Sequence, residues 1–457
     1  MRLLPRIASR LTRWTERWVP DSWVIAVMLT LIVALLAVTV GQASPAVAIM
    51  AWGKGLWSLL SLTMQFTVMM VVAYACAVSP PLKRLFVWLA SIPSPQSAHQ
   101  AVILMAVFST VTAWVNWALS LVISAAFLPY IVKRHPRADF RLLVACAYLG
   151  VGTVWHAGLS GSAPLILATP ENFLIEAGVV SDIIPTTRTV FTNFNLWYSL
   201  GAGLFGVFVV GWLVPSEDAT VTISAEQAER LRAREQEIQR PKSYTGVGEW
   251  LEWWPGWSLI MAAAMLTYFI NDVGQRGFGS AWTINNYNLI FMALGLLLHW
   301  YPKSFLLACE KGIQNTWGIV IQYPLYAGIF GLMSYTALAT ELTTAFVEAG
   351  SPRTFPGIVY MYSGMLNYFI PSGGSKWIVE AGYLIPAGTA LGLSIPTITM
   401  SYAYGDMTTN LLQPFWAIPI LTVAGLRFGD IMGYCLVLAG FMLLFNLGVM
   451  LIIPLQL

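Results

Sequence analysis

The feature that most constrains this chain is the recurrence of apolar runs, each about 20 residues long and carrying at most one charged side chain. They lie near 22–42, 57–78, 140–168, 193–213, 256–271, 284–300, 313–337, 395–425 and 429–455. A helix rises about 1.5 Å per residue, so runs of this length can cross a hydrocarbon layer about 30 Å thick. Charge usage agrees with a lipid exterior. Only 10% of the 457 residues are charged and mean hydropathy is +0.69, whereas soluble domains carry about 25% charged residues. The net charge of +3, from 24 basic and 21 acidic side chains, is too small and scattered for a nucleic-acid partner. Cys76, Cys146, Cys309 and Cys435 sit in or beside apolar runs without paired spacing, which indicates packing rather than a disulfide or zinc framework. The run 22–42 is too long for a cleavable signal and reads as the first span.

Two further apolar stretches, 98–132 and 355–390, are interrupted at mid-length, the first at Trp114-Val115-Asn116-Trp117 and the second at Pro371-Ser372-Gly373-Gly374-Ser375. Each is too long for one crossing and has arms too short for two, so each is expected to form a re-entrant hairpin. Basic residues set the orientation. Arg2, Arg6, Arg10, Arg13 and Arg17 place the N-terminus in the cytoplasm, and Lys83, Arg84, Lys133, Arg134, Arg137 and Arg141 place the loops flanking the first hairpin on the same side. The segment 169–192 then lies outside. The linker 214–255 lies inside, with a solvated helix over Glu226 to Glu237 and an interfacial belt of Trp250, Trp253, Trp254 and Trp257. Continuing the count, the C-terminus ends outside.

Internal similarity organises the chain. Lys54-Gly55 and Gln65 recur as Lys311-Gly312 and Gln322; Val115-Asn116-Trp117 recurs as Leu366-Asn367-Tyr368; Ala147-Tyr148 recurs as Ala403-Tyr404. Because 22–42 and 284–300 cross in opposite directions, the repeat is inverted, and 256–271 is the odd crossing that inverts it. The expected fold is therefore an all-α polytopic membrane protein of two inverted-topology repeats, with about nine spans, two re-entrant hairpins and two broken helices. Its parts are a basic segment 1–21, a first repeat 22–213, a linker 214–255, a connecting span and loop 256–283, and a second repeat 284–457. Broken helices at mid-membrane belong to secondary transporters, since unwound backbone in lipid is tolerated only where it lines a polar site.

Four breaks carry the expected chemistry: the two tips, Gly158-Leu159-Ser160-Gly161-Ser162, and Gly405-Asp406-Met407-Thr408-Thr409-Asn410. Ser372, Gly373, Gly374 and Ser375 would bring backbone amides and hydroxyls to a carboxylate, joined by Asn116, Ser160, Ser162, Thr408 and Asn410. A cation would draw on Asn116, Gly158, Ser160, Asn367, Ser372, Asp406 and Thr409. Asp406 suits sodium ligation, proton carriage or helix capping. Lys376 and Glu380, at i and i+4, form an ion pair or supply the charge partner of the substrate. His156 reads as a helix-end hydrogen-bonding group, and Gln65 and Gln322 as links between helices. No phosphate-binding loop, G-x-S-x-G elbow or H-E-x-x-H motif occurs, so nucleotide-driven transport and familiar hydrolase chemistry have no basis here. A Ser372/Lys376 hydrolase dyad would leave the repeat unexplained. A channel is the other rival class.

Val115-Asn116-Trp117, Ala145 to Tyr148, Gly158 to Pro164, Asn367 to Trp377, Ala403-Tyr404-Gly405, Gln413 to Ala417 and Asp430 to Cys435 resemble the bacterial short-chain fatty acid transporter family over essentially the whole chain. The resemblance implies a multi-pass protein of the bacterial inner membrane that takes up small monocarboxylates such as butyrate or acetoacetate. It implies coupling to Na+ or H+, no other cofactor, and alternating access in a homodimer surrounded by lipid. Sodium-coupled dicarboxylate relatives carry Ser-Asn-Thr at both tips; here that signature is replaced, which leaves ion stoichiometry open and disfavours a dicarboxylate.

Overall fold

The computed structural model describes Pro20 and residues 22–233, 240–241, 243–314 and 316–452; within 230–239 it describes the side chain of Leu231 alone. The basic segment carrying Arg2 to Arg17, and the 234–237 end of the expected linker helix, lie outside the described residues. The remaining secondary structure is helical, with no strand among the described residues.

In chain order the helices are α1 (Ser22–Thr39), α2 (Pro45–Gly55), α3 (Leu60–Ala77), α4 (Pro80–Ser91), α5 (Ala98–Val115), α6 (Trp117–Arg134), α7 (Phe140–Thr153), α8 (Ser162–Ala168) and α9 (Asn193–Leu213). The linker contributes α10 (Ala225–Ala233) and α11 (Val247–Glu252), and α12 (Pro255–Arg276) is the odd span. Then follow α13 (Ile284–His299), α14 (Pro302–Ile313), α15 (Trp317–Ser334), α16 (Leu338–Ala349), α17 (Phe355–Phe369), α18 (Gly373–Ala390), α19 (Ile395–Thr408), α20 (Ile418–Ala424) and α21 (Phe428–Ile452). Among the described residues, seven helical stretches are long and apolar enough to cross a membrane.

Local chemistry explains the boundaries. Ser44, Ser97, Asn116, Asp139, Thr192, Thr283 and Ser394 cap the helices that follow them with side-chain oxygens. Proline stands in the first turn of α2, α4, α12, α14, α17, α19 and α20, where its missing N–H costs nothing. The short helices α2, α4, α14 and α16, of 11 or 12 residues, escape a reading that looks for full crossings.

The element order of 22–213 recurs over 284–452. Corresponding helices from α2/α14 to α7/α19 start 255 to 258 residues apart. The packing recurs as well, with the halves exchanged. α1 packs on α15 and α13 on α3; α2 packs on α15 and α14 on α3; α5 packs on α7 and α17 on α19; α6 packs on α3 and α18 on α15. Exchanging the halves maps these contacts onto one another, as a two-fold relation requires. Gly55 and Gly331 let α2 and α15 touch backbone to backbone, since a Cβ on either would run into the other helix.

Several expectations need correction. The second tip is not Pro371 to Ser375: α17 ends at Phe369, only 370–372 are non-helical, and Gly373, Gly374 and Ser375 form the first turn of α18. The break in 395–425 falls at 409–417, so Gly405, Asp406, Met407 and Thr408 are helical. Gly405 serves close packing instead, because a Cβ there would collide with the Tyr360 carbonyl. Asn367 lies inside α17, so it is no counterpart of Asn116. The counterpart is Ser372. Both N-cap residues are extended, with φ/ψ of −156°/119° for Asn116 and −147°/101° for Ser372, and both directly precede an 18-residue helix. Trp253 is buried against Tyr301 rather than part of an exposed belt.

Candidate functional site

All four breaks converge on one cavity. Trp117 at the first tip, Ser162 at the head of α8, Ser372, Gly373 and Gly374 at the second tip, and Asn410 in the 409–417 break contribute to its lining. Phe66, Trp155, Tyr323 and Trp416 supply aromatic walls, with Val151 and Ile319 between them. The combination of aromatic surface and a few polar groups suits a small amphiphile.

The first tip is stitched to the 158–162 break. Trp117 N–H donates to Ser160 Oγ at 3.0 Å, and Leu159 N–H donates to the Trp114 carbonyl at 2.7 Å. Asn116 accepts from Leu119 N–H through Oδ1 at 2.9 Å, which caps α6. Gly158 lets the break lie against α5, since a Cβ would meet the Trp114 carbonyl, and its own carbonyl accepts from Gly161.

The second tip is built differently. Ser372 makes no side-chain cap bond, and the first intrahelical bond of α18 is Lys376 N–H to the Ser372 carbonyl at 2.9 Å. The amides of Gly373, Gly374 and Ser375 therefore lie outside the ladder at the positive end of the helix dipole. Gly373 must be glycine here: a Cβ would stand 2.7 Å from Asp406 Oδ2 and from His156 Cε1. Tyr402 OH donates to the Gly373 carbonyl at 2.6 Å and fixes this turn on α19.

Beneath the tip lies a buried ion network that the sequence only partly anticipates. Lys376, Glu380, Asp406 and His156 are all fully buried. Lys376 Nζ donates to Ser363 Oγ at 2.6 Å and to the Ser363 carbonyl at 2.9 Å. It stands 3.2 Å from Asp406 Oδ1, 3.4 Å from Glu380 Oε1 and 4.2 Å from the Tyr402 ring centroid. So committed, it is not poised as a base for Ser372. Asp406 Oδ2 pairs with His156 Nδ1 at 2.7 Å. Because His156 Nε2 accepts the Ala163 amide at 3.1 Å, the neutral ring carries its proton on Nδ1 and donates it to Asp406. His156 is thus a helix-end group, as expected, and also a partner of Asp406, which its distance of 250 residues in the chain concealed.

The other expected residues divide into two sets. Thr408 donates to the Tyr404 carbonyl and accepts from Tyr360 and Asn446, so its hydroxyl is fully used in holding α19 to α17 and α21. Asn367 donates to Thr409 Oγ1 at 3.0 Å and Asn410 Oδ1 at 2.9 Å, while Thr409 donates to the Gly364 carbonyl; together they pin the 409–417 break to α17. Buried polar atoms without a partner remain at Asn116 Nδ2, Asn367 Oδ1, Ser375 Oγ and the indole N–H of Trp117 and Trp155. Gln65 joins α3 to α13 through Asn285 at 2.9 Å, as expected of a helix link. No group of three or more His, Cys, Asp or Glu side chains fit for a metal ion occurs among the described residues.

Over residues 3–457 the sequence matches the family model described as "Short chain fatty acid transporter". The chain belongs to the short-chain fatty acid transporter family. It is 35% identical over 436 residues to a protein of Escherichia coli (strain K12) named "Putative short-chain fatty acid transporter", covering 95% of this chain and 96% of the relative. A relative of the same name from Haemophilus influenzae is 30% identical over 438 residues, with coverage of 95% and 96%. The fold is shared with the Alcanivorax borkumensis YdaH transporter (TM-score 0.59, 13% identity, 94% of this chain and 98% of that one) and with Neisseria gonorrhoeae MtrF, titled as one of a class of antimetabolite efflux pumps (TM-score 0.57, 13% identity, 97% of each chain). Membership makes this chain a multi-pass membrane transporter and not an enzyme.

Proposed function

We propose that the protein is a secondary active transporter that takes up short-chain monocarboxylates, such as butyrate or acetoacetate, by cation-coupled symport. One observation carries this reading: the unbonded amides at the head of α18 open onto an aromatic-walled cavity directly above a buried Lys376–Asp406 pair. Amides and helix dipole suit a carboxylate, and the aromatic walls suit a short alkyl tail. Ser372, Gly373, Gly374, Ser375, Ser162 and Asn410 form the substrate side. Asn116, Ser160, Gly158, Asn367 and Thr409 hold the breaks in place around it.

The two halves are read as inverted repeats, with α5–α6 and α17–α18 as hairpins entering from opposite sides of a bacterial inner membrane. The N-terminus lies in the cytoplasm. The hairpins and broken helices would move as one unit past a scaffold containing α1–α3 and α13–α15, in a homodimer. The exchange symmetry of the packing supports two interconvertible end states, since either half can take the arrangement of the other.

Uptake of labelled butyrate and acetoacetate into proteoliposomes, under sodium and proton gradients imposed separately, tests the reading. Accumulation driven by one gradient is expected and names the coupling ion. Equilibration without accumulation would make the protein a channel or uniporter, and no movement of either acid would remove the substrate class.

A further inference from the structure

The two halves differ in charge where they agree in shape. α6 and α18 are both 18 residues long and begin 256 residues apart, so Ser120 corresponds to Lys376 and Ser124 to Glu380. In the register set by Ala147-Tyr148 and Ala403-Tyr404, Gly150 corresponds to Asp406. The surroundings correspond too. Ser120 Oγ donates to the Ser109 carbonyl at 3.1 Å, as Lys376 Nζ donates to the Ser363 carbonyl at 2.9 Å, and each acceptor lies six residues before the end of its helix. Ser120 and Ser124, like Lys376, Glu380 and Asp406, are fully buried. One half therefore closes over hydroxyls and a glycine where the other buries three ionisable groups. Packing of this fold does not require the charges.

The three groups also do not balance. Two carboxylates face one ammonium, and His156 is neutral while its Nε2 accepts the Ala163 amide. Neither oxygen of Glu380 accepts a hydrogen bond, and the ammonium 3.4 Å away donates to Ser363 and stands nearer to Asp406, at 3.2 Å; Asp406 also has the His156 bond at 2.7 Å, to which Glu380 has no equivalent. An ionised carboxylate in that position is costly, and a protonated one much less so. The other titratable groups acting on Glu380 are Asp406 and Tyr402 from α19, Tyr362 from α17 and Tyr383 of its own helix. Tyr362 and Tyr383 bond each other at 2.8 Å. On α15, Tyr323 reaches the Gly374 turn, and the acids of α16, Glu341 and Glu348, are exposed, as is Glu176 after α8.

We propose that Glu380 is the carrier of a coupled proton, with Lys376 and Asp406 linking its charge to occupancy of the substrate site; this rests on the reading of the chain as a cation-coupled carrier. With Glu380 protonated, Lys376 and Asp406 neutralise each other, and a carboxylate can enter above Gly373. When the proton leaves, the network gains one negative charge under the helix head and expels the substrate anion. Protonation and anion binding thus favour each other. The coupled species is one proton per monocarboxylate, taken from one side and released to the other.

Purified protein in liposomes is loaded for two assays, each run with acetoacetate and with butyrate: accumulation of the labelled acid under an inward proton gradient, and counterflow against the unlabelled acid without a gradient. Glu380→Gln is expected to lower accumulation at least tenfold while counterflow continues. Accumulation by Glu380→Gln within twofold of the parent would overturn the assignment and leave the carrier reading standing. So would accumulation by the parent under a sodium gradient alone. Failure of the parent to move acetoacetate or butyrate in either assay would overturn the carrier reading itself. Should Glu380→Gln not fold, Lys376→Ser/Glu380→Ser/Asp406→Gly, which copies Ser120, Ser124 and Gly150 and leaves no carboxylate without its cation, is expected to fold and to show no gradient-driven accumulation; accumulation by this triple variant sinks the proposal equally.

Discussion

At the scale of single residues, the site depends on who neutralises whom in a buried interior. Removing one member of a buried ion network strands its partners, at a cost of about 3–5 kcal/mol, whereas removing both charges together is often close to neutral. Lys376→Met alone should therefore destabilise the protein by about 3–5 kcal/mol, because Asp406 and Glu380 are left without their shared cation. Adding Asp406→Asn should recover most of that stability and no uptake. Thermal unfolding in detergent measures the first effect, and proteoliposome uptake the second. A Lys376→Met variant as stable as the parent would show that the network is not ionised. Asp406→Asn alone should abolish uptake with expression intact; normal uptake would remove Asp406 from the site.

At the scale of elements, the two tips invite a direct comparison. Asn116 and Ser372 occupy equivalent N-cap positions, yet only Asn116 spends its side chain on the cap. Asn116→Ala should cost about 1 kcal/mol of stability, the usual value of a lost cap. Ser372→Ala should leave the unfolding temperature nearly unchanged and abolish uptake, since its hydroxyl faces the cavity beside Tyr323 and is not spent on the cap. Equal stability losses in both variants would mean that Ser372 is a structural cap after all. The sequence made the second tip legible through Pro371 and the two glycines, but misplaced its extent. Glycine reads as a turn in the chain, whereas Gly373 and Gly374 are helical and stay small because Asp406, His156, Phe66 and Tyr323 press against them. Gly405 misled in the same way, and for the same reason.

At the scale of the whole molecule, the proposed orientation rests on charge bias and on α12 as an odd span. Single cysteines at Asp182 and Ser243, both exposed, in a Cys309→Ser background, report it directly. A membrane-impermeant maleimide should label Asp182→Cys in intact cells and Ser243→Cys only after permeabilisation. The reverse pattern would invert the proposed topology, and labelling of both from outside would break the count of crossings.

Apolar run length, charge scarcity and the recurring Lys-Gly, Gln and Ala-Tyr positions were enough to determine a helical membrane protein in two similar halves. The reason is that lipid permits few backbone solutions and the repeat carries its register in the sequence. The tertiary structure alone decided which residues of the two halves correspond, because the Asn116/Asn367 match in letters is not a match in place. It alone also brought His156 to Asp406 and Lys376 between two carboxylates. Pairing across 250 residues is set by helix packing, and neither hydropathy nor local spacing records it.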